Sequence, residues 1–324
     1  MNVNTKPNPF AQRLDIRHIL SNSPPPQDHV LPGLLAGTVG MLAGPGGVGK
    51  TMFELQVALA VACGGSICGG LFENGEEGIS PFRKPGRVVM VAAEESVDLI
   101  WHRLHAVVAT LLERRHLLGI DASAAELMDL WTENLHLYPL AGLPRVSLLS
   151  PDLEKTESFQ QLSSACEGAR LVILDPIRQF HICDENDSGA MTALVQAFAS
   201  LATRTKAAVC FAHHVNRAST QLGQGDTAGA ARGSTALSDG VRWQLNLSNP
   251  GKEAARIRGI AEGERGRFVL VDIPKSNYLP PQGTEVLERL GGGVLVLASK
   301  AREATAQARP SSRRGKAQAF GSSR

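Results

Sequence analysis

The sequence predicts an α/β fold with a mostly parallel central sheet flanked by helices. Three observations point there. Short, nearly continuous apolar runs recur at residues 38–42, 88–93, 171–174 and 207–212, the pattern of strands buried on both faces. Segments with apolar residues at helical spacing alternate with those runs, as crossover helices do in a parallel sheet. Each run also ends in polar chemistry: the loop Gly44-Pro45-Gly46-Gly47-Val48-Gly49-Lys50-Thr51, the pair Glu94-Glu95, Asp175, and the pair His213-His214. Ligands of open α/β sheets bind beyond the carboxyl ends of the strands.

The first of these ends fits G-x-x-x-x-G-K-[ST], the phosphate-binding loop of nucleoside triphosphatases. Glycines let successive N–H groups turn inward toward phosphate oxygens without a side chain in the way. Lys50 is expected to supply a point charge to the β- and γ-phosphates of ATP, and Thr51 a hydroxyl ligand to Mg²⁺. The helix that follows aims its positive end at the same anion. A strand before the loop and Met52, Leu55, Ala58, Leu59 and Ala62 after it at helical spacing give the motif its required context.

Taken in order, residues 1–30 hold Pro7, Pro9 and Pro24-Pro25-Pro26 around a short, imperfect helical pattern (Phe10, Leu14, Ile16, Ile19, Leu20). They read as an N-terminal arm, either lying against a neighbouring subunit or fraying. Residues 31–299 are expected to form the core. A Gly-rich excursion spans 64–86. A helix with Ile100, Leu104, Val107, Val108 and Leu111 on one stripe follows the Glu94-Glu95 strand. Residues 119–150 look mixed and short, and another helix is expected near 158–168. Polar residues 183–190 precede a helix carrying Met191, Leu194, Val195, Phe198 and Leu201. Residues 215–232 have almost no large apolar side chains, and a loop that long is usually functional or mobile. Strands are expected at 241–247, 267–273 and 294–297, and residues 300–324 as a basic, disordered tail.

With 324 residues, 43% of them hydrophobic and 20% charged, the composition is that of an ordinary globular protein. No apolar run is long enough to span a membrane. The N-terminus lacks the apolar stretch of a secretory signal. The five cysteines form no C-x-x-C, which suits a reducing cytoplasm. The net charge of +2 conceals a basic tail on an acidic body, so nucleic-acid contacts should be local.

At the strand ends, Asp175 is placed to hold Mg²⁺ in the manner of a Walker B carboxylate. Either Glu94 or Glu95 could orient and deprotonate an attacking water. One of the two histidines could hydrogen-bond near the γ-phosphate. No arginine-rich lid of the nucleotide-kinase kind is visible.

This constellation resembles the RecA/DnaB-type motor ATPases and, more closely, the plasmid-encoded RepA-type hexameric replicative DNA helicases. The matching text includes His29-Val30-Leu31-Pro32, the phosphate loop, Ala93-Glu94 and His102-Arg103-Leu104-His105-Ala106. It continues through Leu174-Asp175, His213-His214, Arg232-Gly233-Ser234, Arg242-Trp243-Gln244 and Lys275-Ser276-Asn277-Tyr278, roughly over residues 28–298. The resemblance implies a RecA-like P-loop core with Glu94 as the catalytic carboxylate and His214 as the γ-phosphate sensor. It implies Arg242, with Lys275 the weaker candidate, as a finger donated across a subunit interface. By spacing alone, Arg242 is an ordinary strand-face arginine. Loops near 184–190 and 215–232 would face a channel carrying single-stranded DNA. The implied partners are further copies of the chain in a homo-hexamer, a replication fork, and plasmid initiator and primase proteins. A RecA/RadA/KaiC-like ATPase without unwinding activity would share every catalytic residue. A degenerate scaffold that binds ATP without hydrolysis would not keep Lys50, Glu94 and Asp175 together.

Overall fold

The computed structural model describes residues 13–73, 84–215 and 235–301. The expectations for the 216–232 loop, for Arg232-Gly233-Ser234 and for the tail from residue 302 lie outside the described residues. A nine-stranded sheet runs in the order β11-β10-β9-β8-β3-β7-β6-β4-β5. Its parallel part comprises β3 (Val39–Gly44), β4 (Val88–Ala92), β5 (Leu135–Pro139), β6 (Leu171–Asp175), β7 (Ala208–His214) and β8 (Trp243–Ser248). The strands β9 (Phe268–Ser276), β10 (Glu285–Arg289) and β11 (Leu295–Leu297) extend it in antiparallel fashion.

Alternation along each strand divides the core in two, because successive side chains leave opposite faces of a sheet. Val88 and Met90 of β4 pack with α2 (Lys50–Cys63), α3 (Val97–Glu113) and α4 (Ala124–Asn134). Val89 and Val91 pack with α5 (Glu157–Ala165) and α6 (Ser188–Thr205) on the other face. The helix α2 is buried all round. Trp131 Nε1 and Asn134 Nδ2 of α4 donate to its Leu59 and Ala62 carbonyls at 3.0 Å each. Gln56 on α2 exchanges hydrogen bonds with the backbone of Leu295, tying the phosphate-loop helix to β11.

Two stretches differ from the sequence expectation. Residues 119–150 contain a full helix and strand: α4 begins at a reciprocal capping box between Ser123 and Glu126, and β5 is the sheet's edge. The arm does not end at residue 30. His29 and Val30 are buried in β1 (His29–Leu31), which pairs with β2 (Leu34–Leu35), and Arg170 clamps Asp28 with two hydrogen bonds. Upstream, α1 (Ile16–Ser21) buries none of its residues. Among the described residues no helix is long and apolar enough to cross a membrane.

Candidate active site

The carboxyl ends of β3, β7, β6 and β4 lie side by side, so the four strand ends singled out by the sequence converge. The phosphate loop leaves β3 and enters α2 at Gly49, whose φ of +101° is left-handed and whose position offers no side-chain cap. The first-turn N–H groups of α2 therefore remain available to an anion. A Cβ on Gly46 or Gly47 would meet nothing within 4 Å, so the loop's mouth is open.

Lys50, only 5% exposed, folds back over this loop. Its Nζ donates to the Gly44 carbonyl at 2.7 Å, to Pro45 at 3.3 Å and to His214 Nδ1 at 2.9 Å. An ammonium has only hydrogens to give, so Nδ1 accepts and the neutral ring carries its proton on Nε2. That nitrogen lies 3.8 Å from Glu94 Oε2. Burial, then the Lys50 charge, hold the His214 pKa below its usual value. Burial likewise lowers that of Lys50, against the pull of Asp175, Glu54 and Glu94.

The two glutamates after β4 part company. Arg103 on α3 grips Glu95 with Nε and Nη2 at 2.7 and 2.8 Å. Glu94 instead faces a cavity of about 300 Å³ lined also by Gln179, Glu185, His213 and His214, and accepts from Gln179 Nε2 at 3.0 Å. Gln179 was not singled out by the sequence. It falls in a single 3₁₀ turn after β6, and no spacing rule marks it.

Thr51 Oγ1 donates to Asp175 Oδ2 at 2.9 Å. A hydroxyl and a carboxylate held together are the hard oxygen donors that Mg²⁺ takes while keeping water in its other positions. Among the described residues no cluster of three or more His, Cys, Asp or Glu groups could hold an ion, but Mg²⁺ at a nucleotide needs no such cage. Beneath them lies Glu54, 3% exposed, with neither oxygen near a donor. Burial, then the neighbouring Asp175 charge, raise its pKa well above its usual value.

Arg289 is the second residue that sequence reasoning missed. It reaches in from the end of β10 and its Nη2 donates to the Val48 carbonyl. A peptide is planar and trans, so a Val48 carbonyl held toward Arg289 turns the Gly49 N–H the opposite way. Arg242 is not brought to this site. It is exposed just before β8, where Gly40 pairs with Trp243, at the amino end of the sheet. The length of β3, about 15 Å at ~3.3 Å per residue, separates it from its own phosphate loop. Lys275 donates to the Ser238 and Asp239 carbonyls at 2.6 and 3.3 Å.

A profile of the AAA domain family matches residues 6–220. Among solved structures the chain is similar to the ATPase domain of G40P, at 15% identity and a TM-score of 0.50, over 81% of this chain and 85% of that one. At that identity the likeness is one of fold, and it agrees with an α/β P-loop core.

Proposed function

The chain belongs to the AAA domain family, and from that premise we propose that it is an ATP-driven, ring-forming DNA helicase of the replicative, plasmid-encoded RepA kind. The observation that carries the proposal is the series Lys50, His214 and Glu94, a hydrogen bond followed by a 3.8 Å approach, with the adjacent His213 bonded to Glu185 in the 183–187 loop. A change at the γ-phosphate thereby has a short physical route to a loop expected to face DNA.

In this reading Lys50 turns from the Gly44 carbonyl to the β- and γ-phosphates of ATP, and Gly44, Pro45, Gly46, Gly47, Val48 and Gly49 cradle them. Thr51 and Asp175 hold Mg²⁺, which neutralises charge on the bridging oxygens when bound. Glu94 orients the attacking water and accepts its proton. The grip of Arg103 on Glu95 favours Glu94 for that role, and Gln179 steadies it. Arg289 fixes the phosphate loop from within the same subunit. Arg242, out of reach of its own loop, serves a neighbour's, and the ring takes the RepA-type count of six. The exposed apolar side chains of Leu14, Ile16, Ile19 and Leu20 suit docking of the upstream part of the arm (residues 1–30), before Asp28, on the next subunit, with residues 31–299 as the motor and 300–324 as a basic tail. Single-stranded DNA at a fork is the track, with plasmid initiator and primase proteins as partners in the cytoplasm.

The test is an ATPase assay with and without single-stranded DNA beside a fork-unwinding assay. ATP hydrolysis stimulated by DNA, together with strand displacement, is the expected result. DNA-stimulated hydrolysis without displacement would leave the RecA/RadA/KaiC-like reading instead.

A further inference from the structure

Next to the ATP site, and sharing Arg178 and Glu185 with its cleft, lies a second cavity of about 330 Å³ beyond the carboxyl end of β6. Arg145 and Arg178 line it, and both are exposed. At its wall is His181, which is 4% exposed and whose ring lies by the Cys183 backbone without a well-formed hydrogen bond at either nitrogen. Glu185 Oε1 stands 3.9 Å from its Nε2, too far for a hydrogen bond. A buried polar group without a partner costs about 1–3 kcal/mol, so an imidazole left this way beside two arginines calls for a ligand that accepts hydrogen bonds.

The acidic residues of the cavity are engaged elsewhere. Asp184 Oδ1 accepts from the Asn186 backbone N–H and side-chain amide at 2.9 and 3.0 Å. The other oxygen of Glu185 pairs with His213 Nε2 at 3.3 Å, and that contact, first among its causes, pulls the Glu185 pKa down. The donors left to a ligand are therefore two guanidinium groups and one imidazole N–H, beside two carboxylates that keep their charge. Guanidinium forks match phosphate geometry.

We propose that this cavity is a subsite for one phosphodiester group of single-stranded DNA, held by Arg145 and Arg178 with His181 donating from the wall. The proposal rests on the helicase reading above and gives it a named contact outside the 216–232 loop. It also explains the placement of Glu185. The carboxylate that faces the DNA-side histidine also holds His213, whose neighbour His214 touches Lys50. Strand and nucleotide phosphates are thus linked by way of five side chains, His181, Glu185, His213, His214 and Lys50.

The experiment is fluorescence anisotropy with a labelled oligodeoxythymidylate, titrated at several salt concentrations in the presence of a non-hydrolysable ATP analogue. For single strands, log K falls with log salt by about 0.7 per phosphate neutralised. The double variant Arg145→Ala/Arg178→Ala should bind roughly 10-fold or more weakly near 0.1 M salt, and its salt slope should be shallower by about 0.7. Arg178 also borders the cleft at Glu94, so the nucleotide control is the single variant Arg145→Ala, whose affinity for a fluorescent ATP should equal that of the wild type. His181→Asn, which keeps a donor, should bind DNA better than His181→Leu. If the wild type binds the oligonucleotide and the double variant keeps both affinity and slope, the subsite is wrong while the helicase reading stands. If Arg145→Ala loses nucleotide affinity in step with DNA affinity, the cavity belongs to the nucleotide and the proposal fails. If the wild type binds no oligonucleotide, the helicase reading fails and takes the subsite with it.

Discussion

Replacing Arg289 with alanine should weaken nucleotide binding while leaving the fold intact. The guanidinium is half-buried, desolvation lowers its pKa, and it anchors the Val48 carbonyl on the outer side of the phosphate loop. Without that anchor the Val48–Gly49 peptide is free to rotate, and Gly49, at φ +101°, has no side chain to hold it. A hydrogen bond to a charged group contributes roughly 1.5–3 kcal/mol, and solvent at a half-exposed site reduces that to about 1–2 kcal/mol. With each 1.4 kcal/mol worth about tenfold, the dissociation constants for ATP and ADP should both rise about 5- to 30-fold. Arg289→Lys keeps the charge but not the fork and should recover only part of the loss. Gly49→Ala should be at least as damaging, because its Cβ would lie 2.7 Å from Arg289 Nη1 at a backbone angle that alanine resists. Titration with fluorescent ADP and ATP, with thermal melting as the check on folding, measures all three. An Arg289→Ala protein that melts like the wild type and binds both nucleotides within twofold of it would refute the anchoring argument.

Glu94→Gln should still bind ATP while kcat falls by roughly 10²-fold or more, and Glu95→Gln should chiefly loosen Arg103. The reverse pattern in single-turnover hydrolysis would exchange their roles. Lys50→Ala and Arg242→Ala proteins should each be inactive alone, yet mixed rings should regain hydrolysis at interfaces pairing an intact loop with an intact finger. Mixed rings that assemble and stay inactive would remove Arg242 from the neighbour's site. Ile16→Asp/Leu20→Asp should leave the monomer's melting point unchanged, since α1 buries nothing in its own chain, but should shift sedimentation toward smaller species; an unchanged oligomer would leave the arm without a docking role. Burial lowers the pKa of His29 below its ordinary 6.5, so on acidification the unfolded chain takes up its proton first. The stability that neutral His29 gives the fold is thus present above pH 6.5 and lost as pH falls toward the folded value, with a slope of at most about 1.4 kcal/mol per pH unit. The stability of His29→Gln relative to wild type should therefore rise between pH 7.5 and 5.5, and a constant difference in chemical denaturation across that range would contradict the assignment.

The parallel strands were legible because burial on both faces writes them as apolar runs, and their polar ends stand out against that background. Residues 119–150 lacked this contrast. The buried side of α4 comes down to Leu127 and Trp131, and β5, at the edge of the sheet, has no fully buried residue. The strand β10 was hidden for a similar reason, since it carries Glu285, Glu288 and Arg289 around a single buried Leu287. The Glu94-Glu95 ambiguity needed Arg103, eight residues away and on a different element. Glu54 was illegible in another sense: on an exposed helix face a glutamate is unremarkable, and only the all-round burial of α2 leaves it without a donor and raises its pKa.

The antiparallel extension beyond β8 ties these particulars to the case for a ring. Since β9 runs against β8 and β10 runs against β9, β10 points the same way as β3, and its last residue, Arg289, arrives at the phosphate loop. Arg242, at the first turn into β8, is left at the opposite end of the sheet. This side of the sheet thus presents a cation at each end, Arg289 from the extension already bonded to its own loop and Arg242, just before β8, exposed. Heterologous, head-to-tail association brings opposite ends of a molecule together and closes when the rotation permits. On the helicase reading, that is what would give Arg242 a phosphate to meet: the side of the sheet that braces one ATP site through β10 would deliver the finger before β8 to the next, so a single subunit would be both a complete binding site and an incomplete catalyst.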